Sequence, residues 1–251
     1  MRKFALFLLI FLVLALMRAP ATLLDAAFSH TTGAGLRLLL ADGSLWAGRG
    51  TLASSDPGGR SVTPWLPLAW QFEPAALFQG ALRWRFTSDA RPVATVDLGP
   101  GGASVSELDL HTPANALLAS IPHPIARAGW QGDLDLSASH WACAADGRCS
   151  GEARLLWRGA RSALFPDRRF GDYEVRIQAD RGQLQFTVAT LEGEVRLDGR
   201  GSAAPGQPPR FDGQISGDAD FLSRLPAIAG GAATPTPQAG RYTLHWPPGS
   251  R

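Results

Sequence analysis

Glycine and proline punctuate this chain about every ten residues, and the segments between them alternate apolar with polar or small side chains. Long helices cannot tolerate that spacing, because proline removes a backbone donor and clashes with the preceding turn, and an interior glycine costs conformational entropy. Short strands can. With 28 Gly and 19 Pro in 251 residues, the pattern predicts a mainly β fold: an antiparallel, curved β-sheet domain with one or two short helices, behind an N-terminal membrane anchor helix.

Taken in order, "GLRLLLADGSLWAGRGTLAS" predicts two strands joined at Asp42-Gly43, a hairpin signal. "LPLAWQFEPAALFQGALRWRFTS" follows, with Trp70, Phe72, Trp84 and Phe86 at period two, and "RPVATVDLG" and "GASVSELDLHT" add strands on either side of Gly99-Pro100. "TPANALLASIPHPIARAG" interrupts them: Thr112 is placed to N-cap a short helix, Pro113 to open it, and Pro122 and Pro124 to stop it. Strand alternation resumes from "WQGDLDLSASHW" through "RFDGQISGDAD". The expected domains are an anchor or signal-like segment at 1–24, a periplasmic β-rich domain at 25–225 with a sub-boundary near 112–128, and a mobile linker with a terminal strand at 226–251.

The opening "MRKFALFLLIFLVLALMRAPATLL" fixes the compartment. Its apolar run from Phe4 to Met17 spans only about 21 Å as a helix, short of a hydrocarbon core of about 30 Å. Two readings stay open: the helix continues through Leu23 and Leu24 while Arg18 snorkels to the interface, or the run is a signal peptide cleaved at Ala19-Pro20-Ala21. In both, Arg2 and Lys3 hold the N-terminus inside and residues 25–251 cross the inner membrane into the periplasm.

The formal charge of +2 misleads. Arg2, Lys3 and Arg18 precede the first acid, Asp25, so the rest of the chain sets 21 basic against 22 acidic residues and offers no nucleic-acid footprint. The two cysteines, Cys143 and Cys149, flank an Asp146-Gly147 turn signal, where facing hairpin positions approach closely enough for a disulfide in an oxidising compartment. Zinc would need further ligands that the sequence does not space correctly, and the C-x-x-C pattern of redox pairs is absent.

Chemistry is sparse. "GRGTLA" and "GRGSAA" pass a loose dinucleotide filter, but "SSDPGG" and "PGQPP" follow where a helix must begin, so Gly48, Gly50, Gly199 and Gly201 are expected in turns. No nucleophile elbow, S-x-x-K, H-E-x-x-H or phosphate-binding loop occurs. His30, His111, His123, His140 and His245 are scattered, and Asp133 and Asp135 read as a solvated strand face. The sequence therefore predicts no catalytic, cofactor-binding or metal residues and no enzyme. It predicts a structural core that includes Trp46, Trp70, Trp84, Trp157 and Tyr173, with Trp46 buried on a strand after the Asp42-Gly43 turn.

The order of motifs carries a resemblance. An anchor ending at "RAPATLL", then "GSLWAGRG", then "LPLAWQFEPAALFQGALRWRF", then "GEARLLWRGARS" and "FGDYEVRIQADRGQLQFTVATLEGEVRLDGRG" together resemble type II secretion system protein N, also called general secretion pathway protein N. The resemblance covers the chain to about residue 225. It implies a single-pass inner-membrane protein with a periplasmic β domain, working with the secretin and inner-membrane platform proteins in the export of folded proteins, without catalytic residues. A remoter likeness, in anchor and curved β domain, is to AsmA-like envelope proteins, some implicated in lipid transport; it implies a lipid held in an apolar groove. A periplasmic hydrolase is the third reading and has no motif behind it. Open sheet edges would offer a partner's strand a place to pair.

Overall fold

The computed structural model describes residues 17–33, 35–55, 61–118, 128–204, 206–223 and 231–247, together with Phe4 and Phe7. Helix α1 (Thr22–Thr31) leads into β1 (Leu36–Gly43), β2 (Ala47–Ser55) and β3 (Val62–Phe72). A 3-10 helix (Pro74–Gln79) separates β3 from β4 (Leu82–Ser88), and β5 (Arg91–Gly99) and β6 (Gly102–Pro113) follow. After α2 (Ala114–Leu118) come three long strands, β7 (Trp130–Ala144), β8 (Cys149–Ser162) and β9 (Phe165–Asp180), then β10 (Gln183–Gly193), β11 (Arg196–Ala203) and β12 (Arg210–Ser216). Helix α3 (Ala219–Leu222), β13 (Ala233–Pro235) and β14 (Arg241–Trp246) complete the chain.

All fourteen strands form one antiparallel sheet, in chain order except that β14 lies between β12 and β13. The meander predicted from turn spacing is thus present, and β6 pairs directly with β7 across the break at α2, from Gly102↔Ala144 to Pro113↔Asp133. Bulges between Leu39 and Asp42, Leu52 and Ala53, and Phe86 and Thr87 interrupt the ladder, and such insertions bend a strand and raise its twist. The sheet curls accordingly: Leu110 of β6 packs on Leu52, Leu66 and Leu68 of β2 and β3.

Besides that leucine cluster, two larger apolar centres form. Leu38, Trp70 and Trp84 form one with Ala21, joined by Leu24 and Phe28 of α1. Phe170, Tyr173, Val195, Ile215 and Leu222 form the other around Ala160.

Several expectations shift. Asp42 and Gly43 do not form the first turn but end β1, paired with Arg49 and Gly48; the chain reverses at Ser44–Trp46 instead. There Ser44 Oγ accepts the amides of Trp46 and Ala47, each at 3.2 Å, and so supplies a side-chain turn that the Asp-Gly signal did not announce. Gly48, Gly50, Gly199 and Gly201 lie inside strands β2 and β11 rather than in turns. Neighbouring side chains fill the space that theirs would occupy: a Cβ on Gly48 would sit 2.5 Å from the Trp70 ring, one on Gly50 2.9 Å from Leu38, and one on Gly201 2.1 Å from Phe186. Thr112 and Pro113 are the last residues of β6, and α2 starts at Ala114. Pro122, Pro124 and His123 lie outside the described residues.

No helix among the described residues is long and apolar enough to cross a membrane. Most of the expected anchor, 1–24, lies outside them, although Phe4, Phe7 and Met17 are helical. One reading of that segment is corrected: a single helix does not continue through Leu23 and Leu24. Arg18–Ala21 is non-helical and Pro20 bridges to Ser44, so α1 belongs to the folded domain.

The described sheet edges are blunted. Along β1, the Leu36 amide donates to Thr32 Oγ1 at 2.9 Å and the Leu38 amide to Asp25 Oδ1 at 2.8 Å, while Arg37 grips the same carboxylate at 2.9 and 2.8 Å. At the far edge, β13 has three residues and ends in Pro235. Short strands, prolines and covered amides are the devices that keep a sheet edge from recruiting another strand.

Candidate functional site

The curl of β1–β6 leaves an apolar trough of about 610 Å³ between the sheet and α1. Leu24, Ala27 and Phe28 form its helical wall, and Leu68, Val96 and Val105 lie on the sheet side. Among the described residues no lining side chain carries a charge or a hydroxyl. Trp84 Nε1, the polar tip among them, donates to the Leu45 carbonyl at 3.0 Å. Helix α2 packs across the far end of these strands, against β2, β3, β6 and β7.

The direction of the strands locates the open end. Pro20 bridges to Ser44, the Ala145 amide donates to the Gly101 carbonyl at 3.1 Å, and a Cβ on Gly99 would sit 3.5 Å from the Gly80 carbonyl. The turns after β1, β3, β5 and β7 therefore form one rim, at the end where the chain arrives from Met17. Two trough residues are half open there, Leu23 at 49% exposure and Leu98 at 41%. On the same rim the 3-10 helix holds Leu77 at 52% and Phe78 at 95% exposure. Gly80, at φ 75°, ends that helix in a left-handed conformation.

The structure gathers three of the five expected core residues beside the trough. Trp70 and Trp84 are buried, and Trp70 Nε1 donates to the Ser44 carbonyl at 3.0 Å. Trp46 lies in the turn, not on a strand; it is half-buried, stacked on Trp84 at 6.2 Å and edge-on to Phe72 at 4.8 Å. Trp157 and Tyr173 meet in the second centre, 6.1 Å apart across β8 and β9. Cys143 and Cys149 are register partners in β7 and β8 and form a disulfide of 2.06 Å at the rim turn.

The polar groups serve structure. Asp133 is exposed, whereas Asp135 binds His111 Nδ1 at 2.6 Å and Arg158 at 3.1 Å. His245 pairs similarly with Asp212 at 2.8 Å, and His30 and His140 are exposed. Among the described residues no three His, Cys, Asp or Glu side chains converge on a metal position. Buried Glu174, which period-two reading did not single out, lies between Arg154 and Arg176 on paired strands. Burial opposes its ionisation, yet the two guanidiniums outweigh that and hold its carboxyl below the usual carboxylate range. Arg37 does the same for Asp25, and the Gly159 amide with Arg169 for Asp172.

Groups whose folded pKa is depressed bind fewer protons folded than unfolded, so their stabilisation is whole above the unfolded values and lost as pH falls through the folded ones. Urea unfolding of the detergent-solubilised chain should therefore keep its midpoint between roughly pH 7 and 5.5 as far as these groups act, and lose stability below about pH 4.5. A Glu174→Gln variant should show a shallower acid loss.

Comparison with known families turns on one result: the family model for the type II secretion system (T2SS), protein N, matches residues 34–238. The chain belongs to the type II secretion system protein N family. The matched span takes in every strand from β1 to β13, and so the sheet side of the trough and the disulfide hairpin, while the helical wall formed by α1 precedes it. Membership makes the chain a type II secretion component, within a family that is non-enzymatic. Neither the curated proteins nor the solved structures yield a match.

Proposed function

We propose that the chain is an inner-membrane-anchored protein whose β domain works in the periplasm, assisting export of folded proteins through contacts with the secretin and the assembly platform. Family membership over residues 34–238 carries this reading. The Cys143–Cys149 disulfide suits an oxidising compartment, and the apolar run Phe4–Met17 behind Arg2 and Lys3 suits an anchor with its N-terminus inside. Retention of that run is favoured by the fate of Ala19-Pro20-Ala21. Ala19 and Ala21 are buried, the Ala19 carbonyl accepts the Leu45 amide at 2.8 Å, and cleavage after Ala21 would remove that bond.

Contacts with secretion partners run through side-chain surfaces, since β1 and β13 are poor templates for strand addition. Photo-crosslinking in intact cells from positions on the rim, with partners identified by mass, should capture the secretin or a platform protein. Absence of any secretion component, together with a gene deletion that leaves exoprotein release and secretin assembly intact, would remove the reading. The anchor has its own test. The full chain should stay in the membrane pellet after alkaline extraction, and exchanging residues 1–18 for a cleavable signal should move it to the soluble periplasm.

A further inference from the structure

The trough is walled by the helix that follows the apolar N-terminal run and opens at the end where that run arrives. We infer that it is an acyl-chain site, filled by a lipid tail drawn from the membrane in which residues 4–17 lie; this rests on the anchoring proposed above.

Three occupants compete for such a space, and its lining and position bear on the choice between them. The trough follows β5 from Val93 to Leu98, about 17 Å at the rise of a strand. The described lining is apolar along that length, and an α-helix with its side chains, about 10–12 Å across, is the competing occupant that the labelling below tells apart. An extended peptide would carry an amide and a carbonyl at every residue into a lining whose described residues offer no free donor or acceptor, and would leave those groups unpaired. A saturated or mono-unsaturated tail has no polar group to satisfy and suits an apolar trough.

Position supplies the second argument. Leu23 and Leu98, the half-open large side chains of the lining, face the end of the sheet that receives Met17–Pro20, and Ala27 is exposed one turn further along α1. Leu77 and Phe78 extend the exposed apolar surface of this rim, as residues that dip into a bilayer interface do. A tail can pass from the leaflet into the trough while its headgroup stays among the polar groups at the mouth, where Arg18 is exposed.

The test uses the full chain reconstituted in vesicles of phosphatidylethanolamine and phosphatidylglycerol, doped with a phosphatidylcholine bearing a diazirine midway along one acyl chain. After photolysis, labelled peptides are mapped by mass. Label on the β5 and β6 peptides containing Val96 and Val105, besides label on residues 4–17, supports the inference. Label confined to 4–17 overturns it and leaves the anchor standing; label on neither segment overturns both. Leu98→Asp, at a half-exposed position that tolerates a charge, should cut the β5 and β6 label about tenfold, because a carboxylate at the mouth repels the passing tail, and should leave the 4–17 label unchanged. Ala94→Phe fills the trough with an apolar ring and should have the same effect. If circular dichroism shows both variants folded and both still label β5 and β6 as the parent does, the trough is not the site.

Discussion

Replacing Trp70 with alanine is expected to lower the stability of the chain by about 3–5 kcal/mol, the range for removing a buried tryptophan. The indole is 3% exposed, lies on β3 opposite Phe86 of β4, and covers Gly48 so closely that the glycine has no room for a side chain. Its Nε1 also donates to the Ser44 carbonyl, which ties the first hairpin turn, and through Pro20 the arriving chain, to the centre of the sheet. Truncation therefore opens a cavity and frees the turn together. In thermal melts of the detergent-solubilised chain the loss should appear as a fall of roughly 10 °C or more. Trp70→Phe, which keeps much of the apolar volume but not the hydrogen bond, should fall between the two. A Trp70→Ala chain that melts like the parent would show that the tryptophan cluster is a surface and not a core.

The strands were legible because each is a local pattern. Alternation in "LPLAWQF" and "ALRWRF" places Trp70 and Phe72 on one face, opposite their polar or small neighbours, and the structure pairs Trp70 with Phe86 and Phe72 with Trp84. Turn glycines were harder, because Gly48 and Gly201 owe their identity to rings on neighbouring strands, and no window of sequence contains both members of such a pair. The Asp42-Gly43 signal was displaced for a related reason: Ser44 offers its hydroxyl to two amides and wins the turn.

Core membership was readable, but its division was not. Trp46, Trp70 and Trp84 belong to one centre and Trp157 and Tyr173 to another, a separation set by where the sheet curls. The trough was invisible for the same reason. Leu52, Val96 and Leu110 are ordinary strand residues until bulges bring their faces around α1, and bulges leave no reliable trace in alternation. The exposure of Phe78 was equally hidden, since "PAALFQ" reads as a continuation of the aromatic alternation and only the 3-10 turn ending at Gly80 carries it outward.

The second apolar centre should respond most to Tyr173. Tyr173 stands at the point where β9 meets the β10–β11 turn: its ring contacts Trp157, and its hydroxyl donates to the Val195 carbonyl at 2.8 Å. The Val195 amide in turn donates to the Phe170 carbonyl at 3.0 Å, so β9 fastens that turn by one side-chain and one backbone bond. Burial pushes the phenol pKa up, so the group is protonated and donating at neutral pH. Tyr173→Phe removes only the donor and leaves a buried carbonyl unpaired, at a cost of about 1–3 kcal/mol. Tyr173→Ala adds the loss of the ring against Trp157 and Val195, for about 3–5 kcal/mol in all. Urea midpoints should therefore rank parent, Phe, Ala, with amide exchange near Val195 accelerated in both variants. Equal midpoints for Phe and parent would mean that the hydroxyl is replaced by water and that packing alone holds the β10–β11 turn on the core.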